Sequence, residues 1–268
     1  MSTSPSFAAC PKCGHAPLPA DQSLPAACPA CGLVLAKFGN TPSARALRAQ
    51  AMAAEAGQDG EAEPGALQRT VSLVTYIPEK VNPLTFWVRV AIFALLALWS
   101  LSLISHGYAT GQFFSSFIHA PLLIFHEAGH VIFSFGGEFM TVAGGSLGQL
   151  IMPAIIMGAL LIKNRDTFGG AVGAWFFGVS LLDLAPYVYN SLKPQIVLLG
   201  GHTGETGGHD WIYLLDSMGL LARAQGLGSF VHKLGALVAI GSLAWAAWVL
   251  WRQKQRLGDN IDAQYDER

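Results

Sequence analysis

His126-Glu127-Ala128-Gly129-His130 lies in the middle of the apolar stretch LLIFHEAGHVIFSF, residues 122–135. Ionisable groups in such surroundings cost on the order of several kcal/mol each unless they are paired or coordinated, so three of them together imply a shared purpose. On a helix, positions i and i+4 share one face, and both imidazoles can reach one metal ion. Glu127 follows the first histidine and is placed to contact a water on that ion rather than the ion itself. Zinc would lower the pKa of such a water towards ~7, a neighbouring carboxylate would take its proton, and an amide carbonyl polarised by the metal would be attacked. The bland alternative is a pair of satisfied core histidines with a salt-bridged glutamate. Gly129 is unfavourable inside an ordinary helix and here would admit close approach of another backbone.

Two histidines leave a third protein ligand to be found. Asp183, in SLLDLAPYVYN near the end of an apolar run, is the favoured candidate. Pro186 lies three residues on and should kink the helix against the Leu182 carbonyl, opening a polar pocket beside the aspartate. The plainer role for Asp183 is a carboxylate at the membrane edge, paired with Asn190 or Tyr187. The alternative ligands are His209 and Asp210 in GGHTGETGGHDWIYLL, a glycine-rich loop that also holds His202 and Glu205. Asp210 has a structural role open to it as a helix N-cap. His106 and His119 read as residues at the ends of spans, and His232 as a helix-packing residue.

A second metal site is written in cysteines. All four lie in the first 31 residues, as Cys10-Pro-Lys-Cys13-Gly and Cys28-Pro-Ala-Cys31-Gly, with fourteen residues between the knuckles. Each knuckle sets two thiolates on one side of a tight turn, and Gly14 and Gly32 supply the positive φ such turns often use. Four thiolates make a closed tetrahedral zinc site with no open position, so its role is structural or partner-binding. These knuckles resemble those of zinc-ribbon domains over roughly residues 8–38.

The elements that must position these groups follow from composition. The 268 residues are 52% hydrophobic and 12% charged, with mean hydropathy +0.41, which indicates a membrane protein. A net charge of −1 gives no reason to expect nucleic acid. The N-terminus lacks a basic region followed by an apolar core, so no signal peptide is read and the cysteines are expected in the reducing cytoplasm. Apolar runs occupy 86–105, 113–135, 149–162, 168–189 and 228–251. All but 149–162 are long enough to cross a bilayer core, which needs ~20 helical residues, and that short run reads as a tilted span or a re-entrant segment. Trp87, Trp99, Trp175, Trp245, Trp248 and Trp251 often fall near run ends, as an interfacial belt would.

The expected fold is therefore an α-helical polytopic membrane protein of about 4–6 membrane helices with a small N-terminal four-cysteine zinc ribbon. Its parts are a ribbon over 1–40, a linker over 41–85 that is in part interfacial, a membrane domain over 86–252 and a polar tail over 253–268. Lys163, Arg165, Arg252, Lys254 and Arg256 should share the cytoplasmic side with the N-terminus. Five full crossings oppose that, and a re-entrant 149–162 restores it. The depth match between His126 and Asp183, however, requires 149–162 to cross.

The chain resembles the site-2-protease family of intramembrane zinc metalloproteases. The resemblance covers roughly residues 113–190 and rests on HEAGH within an apolar span, the following GGEFMTVAGGSLGQ, and the membrane-embedded aspartate of SLLDLAPYVYN. It implies His126 and His130 as zinc ligands, Glu127 as general base and an aspartate in a later span as third ligand. The family's usual N-P…L-D-G signature is absent, and Asp183 is followed by Leu-Ala-Pro. Residues 138–142 are expected as a short strand whose edge grips an extended substrate, with a plain glycine-rich loop as the alternative. The expected activity is hydrolysis of a peptide bond in or near the bilayer, with one catalytic and one structural Zn2+. Expected partners are a membrane-protein or peptide substrate, lipid, and a cytoplasmic protein on the ribbon. The expected location is a bacterial-type inner or plasma membrane. A non-catalytic membrane scaffold or chaperone with a structural zinc site is the rival reading.

Overall fold

The computed structural model describes residues 7–22, 26–35, 65–109, 111–199, 201 and 203–266. The chain divides into two compact units, Met1–Pro64 and Gly65–Arg268. In the first, the two cysteine knuckles fold alike. The Gly14 N–H donates to the Cys10 carbonyl and the Gly32 N–H to the Cys28 carbonyl, each at 2.8 Å. Gly14 and Gly32 have φ of 73° and 70°, which side chains resist, so the expected glycine turns are present. An isolated antiparallel bridge pairs Ala27 with Val34. Most of the linker expected over 41–85 falls outside the described residues.

The second unit is helical. Its helices are α1 (Ala66–Val74), α2 (Pro83–Ser105), α3 (His119–Ile132), α4 (Gly137–Ile162), α5 (Thr167–Asn190), α6 (Asp210–Ser217) and α7 (Ala224–Asp266). Asn82 caps α2 by accepting from the Thr85 N–H, with Pro83 at the first position; Asp166 caps α5 by accepting from the Gly169 N–H. Among the described residues, four segments are long and apolar enough to cross a membrane: Pro83–Ser105, Ser134–Ile162, Thr167–Asn190 and Leu221–Gly258.

Three expectations change here. The run 113–135 is not one span, because a 3-10 turn at Gln112–Ser115 precedes α3 and leaves that helix only 14 residues. At 1.5 Å per residue it is ~21 Å long, short of a ~30 Å hydrocarbon core. The run 149–162 is instead the second half of the 26-residue α4. The strand expected over 138–142 is helix as well. Gly137 turns the chain into α4 with φ 84°, whereas Gly144, Gly145 and Gly148 are packing residues. A Cβ on Gly129 would collide with the Gly144 carbonyl, and one on Gly148 would lie 2.6 Å from the Phe125 carbonyl oxygen. α3 and α4 thus meet backbone to backbone along a glycine seam. Pro186 also sits within a continuous α5.

Helix directions follow from contacts. Arg89, early in α2, bonds Asp166 at the start of α5 (3.0 Å), and Ser100, further on, accepts from Trp175 Nε1 (2.7 Å), so these two helices are parallel. α4 pairs Met157 with Gly173 and Leu161 with Gly170, and α7 sets Ala239 against Gly178 but Gly228 against Tyr189; both are antiparallel to α5. The starts of α2 and α5 and the ends of α4 and α7 therefore share one end of the bundle. Lys80, Arg89, Lys163, Arg165, Arg252, Lys254 and Arg256 gather there, while Lys193 and Arg223 lie at the other. α3 runs antiparallel to α4 and begins at the depth of Asp183, inside the bundle. Trp87 and Trp251 are exposed at the basic end, whereas Trp99 and Trp175 pack on each other inside, ring centroids 6.0 Å apart.

Candidate metal centre

α3 carries His119, Leu123, His126, Glu127 and His130 as one stripe facing a cavity of about 490 Å³. α4 contributes Gln149, α5 Asp183 and Tyr187, and the loop leading into α6 contributes Gly208 and Asp210. By helix direction the cavity lies towards the end opposite the basic cluster.

Within it, His126, His130 and Asp210 bring one ligand atom each to within 4.8 Å of the others. Asp210 Oδ2 lies 2.8 Å from His126 Nε2 and 3.3 Å from His130 Nε2. These separations are on the order of the ~3.3 Å between ligands each ~2.0 Å from one ion. The far sides of both rings are accounted for. His130 Nδ1 is 2.8 Å from the Thr141 carbonyl oxygen, an obligate acceptor, so it donates. His126 Nδ1 is 3.1 Å from Gln149 Oε1. Both Nε2 lone pairs are then left to face one point, the arrangement a ligating histidine needs.

Gly145 keeps that point open: a Cβ there would lie 2.5 Å from Nε2 of both His126 and His130. The donor set of two imidazoles and a carboxylate, with space for an exogenous ligand, fits zinc. Glu127 is exposed to the same cavity.

Asp210 is the first residue of α6 and not its cap; His209 precedes it without a side-chain capping bond. Its backbone N–H donates to Tyr187 Oη (3.0 Å), and Trp211 Nε1 donates to Ser146 Oγ (3.1 Å), which anchors the loop over α4 and α5. Asp183 stands apart from this group. It is 4% exposed, one oxygen 2.7 Å from His119 Nδ1 and the other accepting from Gln149 Nε2 at 2.7 Å. The aspartate brought to the two histidines is thus the alternative at the start of α6, because the short α3 puts His119 beside Asp183. Neither Asn190 nor Tyr187 pairs with Asp183: Asn190 accepts from the Gln195 and Ile196 N–H groups. His209 is buried and stacked on Tyr187 (4.3 Å), and burial holds its imidazole down to about 4, hence neutral. Glu205 is exposed in a 3-10 turn, and His202 lies outside the described residues. His106 packs on Phe113, and His232 on Tyr108.

In the other unit, Cys10, Cys13, Cys28 and Cys31 also gather within 4.8 Å. Sγ separations of 3.7 Å (Cys10–Cys31) and 3.8 Å (Cys13–Cys28) match the ~3.8 Å edge of a tetrahedron with ~2.3 Å zinc–sulfur bonds. The cluster can therefore hold a metal ion. Burial pushes the Cys10 thiol up, but the Cys13 and Lys12 backbone groups outweigh it and hold it down to about 6, favouring thiolate.

Gln149 and Gly145 escaped the sequence reading. The signal for Gln149 was a lone amide opening an apolar run, which has no reason to be there without partners. Comparison with protein-family models, with curated proteins and with solved structures finds no match to this chain.

Proposed function

We propose that the protein is an intramembrane zinc metalloprotease of site-2-protease type, with a structural zinc in the N-terminal ribbon. The observation that carries this reading is the convergence of His126, His130 and Asp210 on a point beside Glu127 in a cavity within the helical bundle. Two imidazoles, one carboxylate and a free carboxylate alongside are a donor set for hydrolysis and exceed what a purely structural site requires. His126, His130 and Asp210 would hold the ion, which would supply Lewis acidity towards a water and the scissile carbonyl. Glu127 accepts one proton from the attacking water as its oxygen adds to the carbonyl carbon. The same carboxyl then gives the proton to the leaving nitrogen as the C–N bond breaks, yielding a carboxylate and an amine. Gly145 preserves room at the ligand atoms, and the Tyr187 hydroxyl steadies Asp210 through its backbone.

The basic cluster at one end supports that end as cytoplasmic. With four crossings and α3 re-entrant, α1 and the end of α7 share that side, which relieves the conflict between charge and span count. The metal centre then lies towards the outer face, level with Gly145, about eight residues into α4, or ~12 Å. The test compares membrane-protein fragments in cells carrying wild type or Glu127→Gln. A fragment present only with wild type supports protease action and names a substrate. Identical fragment patterns together with normal function of the variant favour the scaffold.

A further inference from the structure

We infer that Asp183 is a positioning residue for the metal centre, acting through Gln149 on His126; this rests on the metal-site reading above. Three links make the chain. His119 Nδ1 lies 2.7 Å from Asp183 Oδ1, Asp183 Oδ2 accepts from Gln149 Nε2 at 2.7 Å, and Gln149 Oε1 faces His126 Nδ1 at 3.1 Å. Asp183 and Gln149 are 4% and 2% exposed, so water does not compete for these bonds.

The chemistry of each group fixes the next. The Gln149 NH2 donates to Asp183 Oδ2, which turns the other end of the amide away from that carboxyl. Its carbonyl oxygen then points at His126 and accepts from Nδ1–H. A neutral imidazole with its proton on Nδ1 has its lone pair on Nε2, the atom directed at Asp210 and His130. Without Asp183, the amide of Gln149 is free to rotate by half a turn. Its NH2 would then face His126, draw the lone pair to Nδ1 and leave Nε2 protonated and unable to bind metal. His119, partly open to the cavity, completes the chain by pairing with the other oxygen of the buried carboxyl. The residue that the sequence singled out as a ligand is thereby retained as the orienter of one.

The experiment uses the full chain purified in detergent. Zinc affinity is measured by chelator competition, and cobalt is substituted to read ligand geometry in the visible spectrum. The four-thiolate ribbon is distinguished by its intense thiolate-to-cobalt charge-transfer bands. Asp183→Leu and Gln149→Met keep volume and remove the bonds. Each should weaken metal binding at the histidine centre by ~10–100-fold and alter its cobalt spectrum. Wild-type affinity and spectrum in either folded variant overturns the inference, even if that variant melts earlier, since a merely structural role would lower stability alone. If Asp183→Leu does not fold, Gln149→Met decides. His126→Ala separates the two levels: metal retained there refutes the metal centre itself, whereas metal lost there but unaffected in Gln149→Met refutes only the positioning role.

Discussion

Gly145→Ala is the smallest change that should empty the histidine centre. The added Cβ would lie 2.5 Å from Nε2 of His126, 2.5 Å from Nε2 of His130 and 2.6 Å from Cε1 of His130. Ordinary contacts to carbon begin near ~3.5 Å, so both rings must retreat by about 1 Å. Metal–ligand distances tolerate only ~0.2 Å, so that retreat, together with a methyl on the approach to the ion, abolishes the site. The rings have little room to yield, because their Nδ1 atoms are held by Thr141 and Gln149. Overpacking of this kind costs ~1–3 kcal/mol of stability. Gly158→Ala in the same helix is the control: nothing lies within 4 Å of its Cβ, and replacing a helix-interior glycine should stabilise by ~0.5–1 kcal/mol. Elemental analysis should find two zinc ions per chain in wild type and Gly158→Ala but one in Gly145→Ala. Two ions in Gly145→Ala, held at wild-type affinity, would refute the placement of the metal between the two Nε2 atoms.

Three further outcomes are expected. At saturating zinc, Asp210→Ala should hold one zinc and Asp183→Ala two; the reverse pattern would return the third-ligand role to Asp183. Cys13→Ser should lose the ribbon zinc and leave the histidine centre loaded, which elemental analysis of the purified chain checks. Trp175→Phe removes the bond to buried Ser100 and should lower stability by about 1 kcal/mol in thermal unfolding, with no change in metal content.

The sequence made the helical, membrane-type architecture legible because apolar runs and sparse charge are properties of the chain itself. The cysteine knuckles were legible for a related reason: C-x-x-C with a following glycine defines a local turn, and local turns need no tertiary information. His126, Glu127 and His130 were readable from i, i+4 spacing on one helix. What could not be read was where α3 begins. The run 113–135 has span length in the sequence, yet a 3-10 turn and a short helix consume it, and that offset puts His119 rather than a ligand beside Asp183. Full spans would put Asp183 at the depth of His126, whereas α3 is a short helix that begins beside Asp183. Glycines misled at 144, 145 and 148, because turn, seam and metal cradle look alike until the opposing backbone is known. Charge patterning had more information than the span count: the basic residues do gather at one end of the bundle once 149–162 is the second half of a long α4 and α3 is short.

The central claim is that Glu127 moves a proton at a metal held by His126, His130 and Asp210. The most direct measurement sets cleavage beside metal content in the purified protein reconstituted into vesicles with a membrane-protein substrate identified by the fragment comparison. The account predicts that Glu127→Gln retains both zinc ions and loses cleavage altogether, since an amide cannot accept the proton. Cleavage by Glu127→Gln at the wild-type rate, with both ions bound, would contradict it.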